Sequence, residues 1–293
     1  MKEKNKVQNL ELKKELKNKV ILVTGGSGSI GSAIVEELLN YPVKVVRVFD
    51  IDEYGLAKLK RKLKDNRLRF LLGNILDKDR IEMACHNVDI IIHTAAIKNI
   101  EISEFNPIET IDVNINGTVN LIKTCIKTKP KKVLNISTDK AVLPTTLYGS
   151  TKQMGEKLMS WAGMHLEPIK FGSVRLGNVM ETKGNVFEIW KEQSQNNEKI
   201  SITVPDMKRY FFKIDEAVNF ILDCIPKINN GEIFVPKMKS YTIKSLADKI
   251  SKKQKIIGLR QGEKLEETLI TDSEKKLAKN LKNMWVISDY NCF

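Results

Sequence analysis

Short apolar runs alternate along the chain with longer stretches whose apolar residues recur every three to four positions. Val20–Thr24 is a β-branched run followed at once by glycine, as in a buried parallel strand entering a tight turn. Comparable runs at Val43–Phe49, Leu68–Leu72, Val88–His93, Lys132–Ile136 and Ile169–Leu176 predict five more strands. Helical spacing between them predicts helices at Ile30–Leu39, 55–64, 77–86, Pro107–Lys127 and Leu147–Met164. Strand and helix alternating through short connections predict an α/β fold, a right-handed, doubly wound parallel sheet. After Leu176 the alternation fails, leaving short helices near 186–196, 214–225 and 243–252. The expected organisation is therefore a polar tail over 1–18, a sheet domain over 19–176, and a smaller substrate-binding cap over 177–293. Part of the cap is expected to return to the sheet. Within the tail, Leu10, Leu12 and Leu16 stand among charges, which suits a frayed end or a short docking helix.

The first predicted strand runs into Thr24-Gly25-Gly26-Ser27-Gly28-Ser29-Ile30-Gly31 and then a helix. Glycines at 25, 28 and 31 allow a tight turn, close approach to a pyrophosphate, and close packing of helix on strand. The free N–H groups of the helix start, Ser29 and Ile30 among them, then face the phosphates. Asp50 ends the second strand, where a carboxylate accepts both ribose hydroxyls of NAD and repels a 2′-phosphate. A dinucleotide, NAD or NADP, is the expected cofactor. Asp50 favours NAD, while Arg47 and Lys58 lie near enough in sequence to accommodate a phosphate.

Composition narrows the picture further. Forty-nine Lys and Arg against 36 Asp and Glu give the 293-residue chain a net charge of +13. This allows three anionic partners: nucleic acid, a membrane surface or a phosphorylated small molecule. Aromatics at 6% are thin for binding single strands by stacking, and there is no nucleic-acid motif. Nor does any apolar run approach the length of a membrane span. The N-terminus lacks the apolar core of a secretory signal, so the expected location is cytoplasmic. Cys85, Cys125, Cys224 and Cys292 are scattered and read as reduced thiols, and His86, His93 and His165 do not cluster, so no metal site is expected. Most of the lysine surplus is read as solvated surface.

Beyond the fifth strand stand Ser137-Thr138-Asp139-Lys140-Ala141 and then Tyr148-Gly-Ser-Thr-Lys152 on the next helix. Tyr148 and Lys152 share one helical face, an arrangement suited to alcohol oxidation, because an ammonium near a phenol stabilises the phenolate. With Lys98 after His93-Thr-Ala-Ala, Met207-Lys-Arg-Tyr210 and Gly258-Leu-Arg-Gln-Gly-Glu-Lys264, the sequence resembles the extended short-chain dehydrogenase/reductases. Within these it is most similar to the UDP-N-acetylglucosamine 4,6-dehydratases of surface-polysaccharide and nonulosonate pathways, from about residue 19 to beyond 270. Membrane-anchored relatives carry preceding transmembrane helices and often methionine in place of Tyr148. This chain resembles the soluble, inverting branch instead.

The resemblance implies a Rossmann-like fold, a UDP-sugar substrate and a homo-oligomer paired through the helices after strands four and five. It also implies cofactor contacts at Asn74, Ile75, Ala95 and Ala96 beside those of the turn, Tyr148 and Lys152. Lys98, Asn178, Arg209 and Arg260 are its implied substrate contacts, with Glu263 holding Arg260. In the implied reaction, Tyr148, assisted by Lys152 and oriented by Thr138, deprotonates the sugar 4-OH. Lys140 then takes the C5 proton and protonated Asp139 releases the 6-OH. Adjacent Asp139 and Lys140 nevertheless favour each other's charged forms, the wrong states for this acid and base.

Departures from the family pattern fall at Asn74, Asn99, Thr146, Glu181-Thr-Lys183, Asn185 and Gln261, and bear on cofactor fit or substrate choice. A sugar-nucleotide 4-epimerase or 4-ketoreductase would use Tyr148 and Lys152 but has no use for the Asp139–Lys140 pair. A non-catalytic dinucleotide-binding regulator would need none of Thr138, Asp139, Lys140, Tyr148 and Lys152.

Overall fold

The computed structural model describes residues 10–182, 184–260 and 262–288, so Lys183, Gln261 and Cys292 lie outside the described residues. Its centre is a nine-stranded sheet. Six strands follow the predicted runs: β1 Val20–Thr24, β2 Val45–Asp50, β3 Leu68–Leu72, β4 Ile90–His93, β5 Lys132–Thr138 and β6 Lys170–Leu176. Three short strands come next: β7 Asn178–Val179, β8 Ile200–Ile202 and β9 Lys208–Phe212. The remainder are β10 Glu232–Pro236, β11 Ser240–Thr242, β12 Gln254–Ile256, β13 Lys279–Asn280 and β14 Met284–Ile287. The large sheet runs β13-β14-β10-β6-β5-β4-β1-β2-β3, so the order reverses between β1 and β4. Pairing is parallel from β3 across to β10, after which β14 and β13 pair antiparallel. Such a reversal opens a crevice at the carboxyl ends of the strands, where α/β sheets bind ligands.

Both faces of the sheet are covered, as continuous apolar strands require. Leu22, Ile91, Val133 and Phe171 pack on one side, and Ile21, Ile90, Leu134 and Val174 on the other. Cys85, Cys125 and Cys224 are buried. The covering helices are α1 (10–16), α2 Ser29–Leu38, α3 Glu53–Lys62, α4 Lys78–Cys85, α5 Ile100–Phe105, α6 Pro107–Ile111, α7 Gly117–Thr128 and α8 Leu147–His165. The C-terminal third adds α9 Val186–Gln195, α10 Ile214–Cys224, α11 Ile243–Ala247 and α12 Asp272–Leu277.

Two features, the burial of Lys132 and a break in the long helix, differ from the sequence reading. Residues 10–16 form a docked helix, with Leu12 and Leu16 buried in the sheet core and the Glu15 carboxylate 3.1 Å from Lys132 Nζ. Lys132 is accordingly not solvated surface: it is 8% exposed and donates to the Ile225 and Pro226 carbonyls. The continuous helix expected at Pro107–Lys127 is broken by a π-turn at Asp112–Asn116, between α6 and α7. This turn presents Asn114, whose carboxamide accepts from Ile97 N at 2.8 Å and donates to Ile97 O at 3.0 Å and Thr151 Oγ1 at 3.0 Å. A side chain able to hold a neighbouring loop at both its N–H and C=O is a common reason for a π-turn near a site. The last third also enters the large sheet, through β10, β14 and β13, while β7, β9 and β11 form a small sheet and β8 and β12 another.

Candidate active site

A cleft of about 860 Å³ follows the crevice, from the glycine turn past Tyr148 and Lys140 to Trp190 and Arg260. At the turn, Gly25 has φ +64° and a Cβ there would lie 2.7 Å from Ala95 N. A Cβ on Gly31 would stand 2.2 Å from the Gly25 carbonyl oxygen. No side chain caps α2 and its first turn carries no acid, which suits the positive end of the helix dipole to an anion. Asp50 sits at the rim, its Oδ2 accepting from Ser27 N at 2.9 Å and its Oδ1 from Asp52 N at 3.1 Å. Asn74, Ile75, Ala95 and Ala96 line the same end. Glycine cradle, uncapped helix and rim carboxylate together fit a dinucleotide. Arg47 is committed elsewhere: its Nη1 donates to the Ala84 and His86 carbonyls at 2.7 Å each.

The Thr138–Lys152 residues meet where β5 ends and α8 begins. Thr146 caps α8, accepting from Gly149 N, and so aims its first turn into the cleft. Thr138 Oγ1 donates to Asp139 Oδ1 at 2.9 Å, and Lys140 Nζ donates to the same oxygen at 3.1 Å. Asp139 is fully buried, and its Oδ2 has no hydrogen-bond partner among the described residues. Lys140 Nζ also donates to Asn178 Oδ1 at 3.2 Å, while Asn178 Nδ2 donates to the Tyr210 carbonyl. Asn178 thus stands beside Lys140.

The charges of the site have identifiable causes. Burial pushes the Lys140 ammonium toward neutrality, but the Asp139 and Glu267 carboxylates and the Tyr148 phenol outweigh it, and the net shift is upward. The tension between Asp139 and Lys140 seen in the sequence is therefore present in the fold. Burial pushes Tyr148 up to about 12, against the Lys140 charge and a hydrogen bond with Thr138. The ammonium that eases Tyr148 ionisation here is that of Lys140. Lys152, 8% exposed, is pushed down to about 8 by burial, partly offset by Glu156. Its charge acts on His93, the buried imidazole that bridges Thr24 and Thr118.

At the far end, Lys98 lines the cleft. Arg209 lies there too, but its Nη1 donates to the Lys208 and Leu265 carbonyls and its Nη2 to that of Lys264. Arg260 Nη1 pairs with Glu101 Oε1 at 3.2 Å across the mouth, and Glu263 accepts from the Arg260 backbone N–H rather than from its guanidinium. Several departures from the family pattern prove to be helix caps that also line the cleft, namely Asn99 of α5, Thr146 of α8 and Asn185 of α9. Glu181 occupies a left-handed position, φ +64°, which accounts for the glycine usual there. Sequence reasoning missed Asn114, Glu101 and Glu267; the last lies among the alternating charges after Gly262, with no spacing to distinguish it.

Residues 21–289 match the family model described as polysaccharide biosynthesis protein. The chain belongs to this family. An inverting UDP-N-acetylglucosamine 4,6-dehydratase of Campylobacter jejuni is 35% identical over 276 residues, 92% of this chain and 83% of its own. A UDP-glucose 4-epimerase of Rickettsia canadensis is 33% identical over 282 residues, with the same coverage of 92% and 83%. An uncharacterised membrane protein of Methanocaldococcus jannaschii is 38% identical over 289 residues, 94% of this chain and 87% of its own. No helix among the described residues here is long and apolar enough to cross a membrane. Among solved structures, Pen from Bacillus thuringiensis superposes with a TM-score of 0.89 at 35% identity, covering 93% of this chain and 88% of that one. The dTDP-glucose 4,6-dehydratase DesIV of Streptomyces venezuelae, solved with NAD, shares the fold at a TM-score of 0.79 and 21% identity, over 88% and 90% of the chains. This family member is a sugar-nucleotide dehydratase/epimerase of the short-chain dehydrogenase/reductase type, with a Rossmann-like α/β fold.

Proposed function

We propose that the chain is a UDP-N-acetylglucosamine 4,6-dehydratase of the 5-inverting kind, a hydro-lyase that recycles its own NAD. One observation carries this reading: Lys140 lines the cleft with its ammonium 3.1 Å from the buried Asp139 carboxylate behind it, an acid–base pair that C4 epimerisation does not need. Gly25, Gly28, Gly31 and the start of α2 would hold the pyrophosphate, and Asp50 the adenosine ribose. Asp50, together with the engagement of Arg47 by α4, favours NAD over NADP. The bound nicotinamide supplies oxidation at C4 of the sugar and reduction at C6.

Tyr148 removes the 4-OH proton, with Thr138 fixing the phenol and the Lys140 charge easing its ionisation. Once the Lys140 proton has passed to Asp139 along their hydrogen bond, the ketone at C4 acidifies the C5 proton, which the Lys140 amine takes. Asp139, now the acid, protonates the 6-oxygen as it departs as water, and a solvent-derived proton reaching C5 on the opposite face gives the inverted 4-keto-6-deoxy sugar. Lys98 and Arg260, which both line the cleft, would meet the anionic diphosphate. Incubation with UDP-N-acetylglucosamine in heavy water, followed by NMR, tests the proposal. The expected product is a 4-keto-6-deoxy sugar with deuterium at C5 and inverted configuration. A C4 epimer formed without loss of water would place the chain with the epimerases instead.

A further inference from the structure

Lys140, backed by the buried Asp139, shares the cleft wall with a third charged group. A parallel bridge between Lys208 and Glu266 brings the following residue, Glu267, from the C-terminal third of the chain to line the cleft. Its side chain is 6% exposed, and its Oε1 lies 3.9 Å from Lys140 Nζ and 3.9 Å from Arg209 Nε. Its Oε2 is buried with no hydrogen-bond partner among the described residues. The same Arg209 binds the carbonyls of Lys264 and Leu265 and so fixes the segment that bears Glu267.

A carboxylate kept only for structure would close hydrogen bonds onto so near a guanidinium, because an open buried acceptor is costly. Glu267 instead stands at ion-pair range from two cations without bonding directly to either. It acts through its field. We propose that Glu267 is a positioning residue for Lys140, a negative charge beside the Asp139–Lys140 pair that holds their shared proton on Lys140 at rest and draws a proton back to it when C5 is deprotonated. The inference rests on the dehydratase reading above.

The proton balance shows how. At rest the three groups are carboxylate, ammonium and carboxylate, with a net charge of −1. Transfer of one proton from Lys140 Nζ to Asp139 Oδ1, along the existing 3.1 Å hydrogen bond, breaks an N–H bond and forms an O–H bond. The result is a neutral amine and a neutral acid, with Glu267 unchanged and the net charge still −1. The amine then takes the C5 proton, and the acid gives its proton to the 6-oxygen as the C6–O bond breaks. Both groups return to their starting states with no outside proton. While the ammonium re-forms, Glu267 stabilises it, which makes Lys140 a stronger base toward a weakly acidic C–H. The charged or titratable groups that face Lys140 are Asp139, Tyr148 and Glu267, with Asn178 as a neutral acceptor and Arg209 on the far side of Glu267.

The test is Glu267→Gln, read by NMR titration of ¹³C-labelled lysines with Lys140 assigned from a Lys140→Met variant. Lys140 is expected to titrate at lower pH in Glu267→Gln. The alkaline limb of the dehydration rate should move the same way, with turnover near neutrality falling roughly tenfold. Glu267→Asp keeps the charge and should titrate near the wild type. An unchanged Lys140 titration in Glu267→Gln overturns the inference, as does an equal shift in Glu267→Asp. Product analysis of the wild type judges the dehydratase reading separately, since the lysine titration does not depend on which sugar is formed.

Discussion

Lys140 has two neighbours that hold it charged, Asp139 by a direct hydrogen bond and Glu267 through space, so a single substitution there should be decisive. Lys140→Ala is expected to abolish dehydration while leaving dinucleotide affinity unchanged, as measured by cofactor titration of both proteins. Near wild-type turnover would remove Lys140 as the base. His93 makes a different kind of prediction. Burial pushes its imidazole from 6.5 down to about 3, with the Lys152 charge adding to the effect. The unfolded chain thus accepts a proton that the folded chain refuses. Stability should fall as pH drops from about 6.5 toward 3, at up to about 1.4 kcal/mol per pH unit. His93→Gln should flatten this limb in urea melts at about pH 5 and pH 7; an equally steep loss would assign the acid sensitivity to other groups. Residues with a chemical signature in a short motif, such as the glycine turn, Asp139, Lys140, Tyr148 and Lys152, were legible in the sequence. Glu267 was not, because its meaning depends on a contact with a residue 127 positions earlier.

At the scale of elements, six of the strands could be read from apolar runs, to within a few residues at their ends, and the turn after the first from its glycines. Buried parallel strands write continuous apolar stretches, which survive without knowledge of their neighbours. The π-turn at Asp112–Asn116 could not be read, since its apolar spacing passes for an unbroken helix; only the polar Asn114, buried in the fold, marks the break. The docked helix at 10–16 was half legible, from leucines four apart in a polar segment. Its two buried leucines now make it part of the core. Leu16→Ala should destabilise the chain by about 2–5 kcal/mol in denaturant melts, against less than about 0.5 kcal/mol for the exposed Leu10→Ala. Equal, small effects would return this segment to the status of a tail.

Over the whole molecule, the +13 charge proved less informative than the placement of a few cations. Part of that charge is consumed internally, as by Lys132 between Glu15 and two carbonyls, and part closes the cleft mouth, as by Arg260. Apolar exposure is more telling. Ile102, Phe105 and Ile108 on α5 and α6 are 52%, 85% and 70% exposed, and Met154 and Trp161 on the neighbouring α8 are 48% and 47% exposed. Exposed apolar surface of this kind suits pairing of two copies through the helices after β4 and β5. Sedimentation of the wild type should give a dimer or larger species, and Phe105→Glu with Ile108→Glu should shift it to monomer. A wild-type monomer at micromolar concentration would end that expectation.

The returning strands have a consequence for how the chain is made. β6 finds its outer neighbour only in β10, more than fifty residues later, and β10 finds its own in β14, almost at the end of the described chain. Helix 10–16 meanwhile reaches its Lys132 partner only after β5 has been synthesised. Such distant pairings raise contact order and slow folding. During synthesis the ribosome must therefore release most of the chain while one edge of the sheet, and the hollow for the first helix, still await their partners. In that interval the nascent protein would rely on chaperones to shield the open strand edge from aggregation.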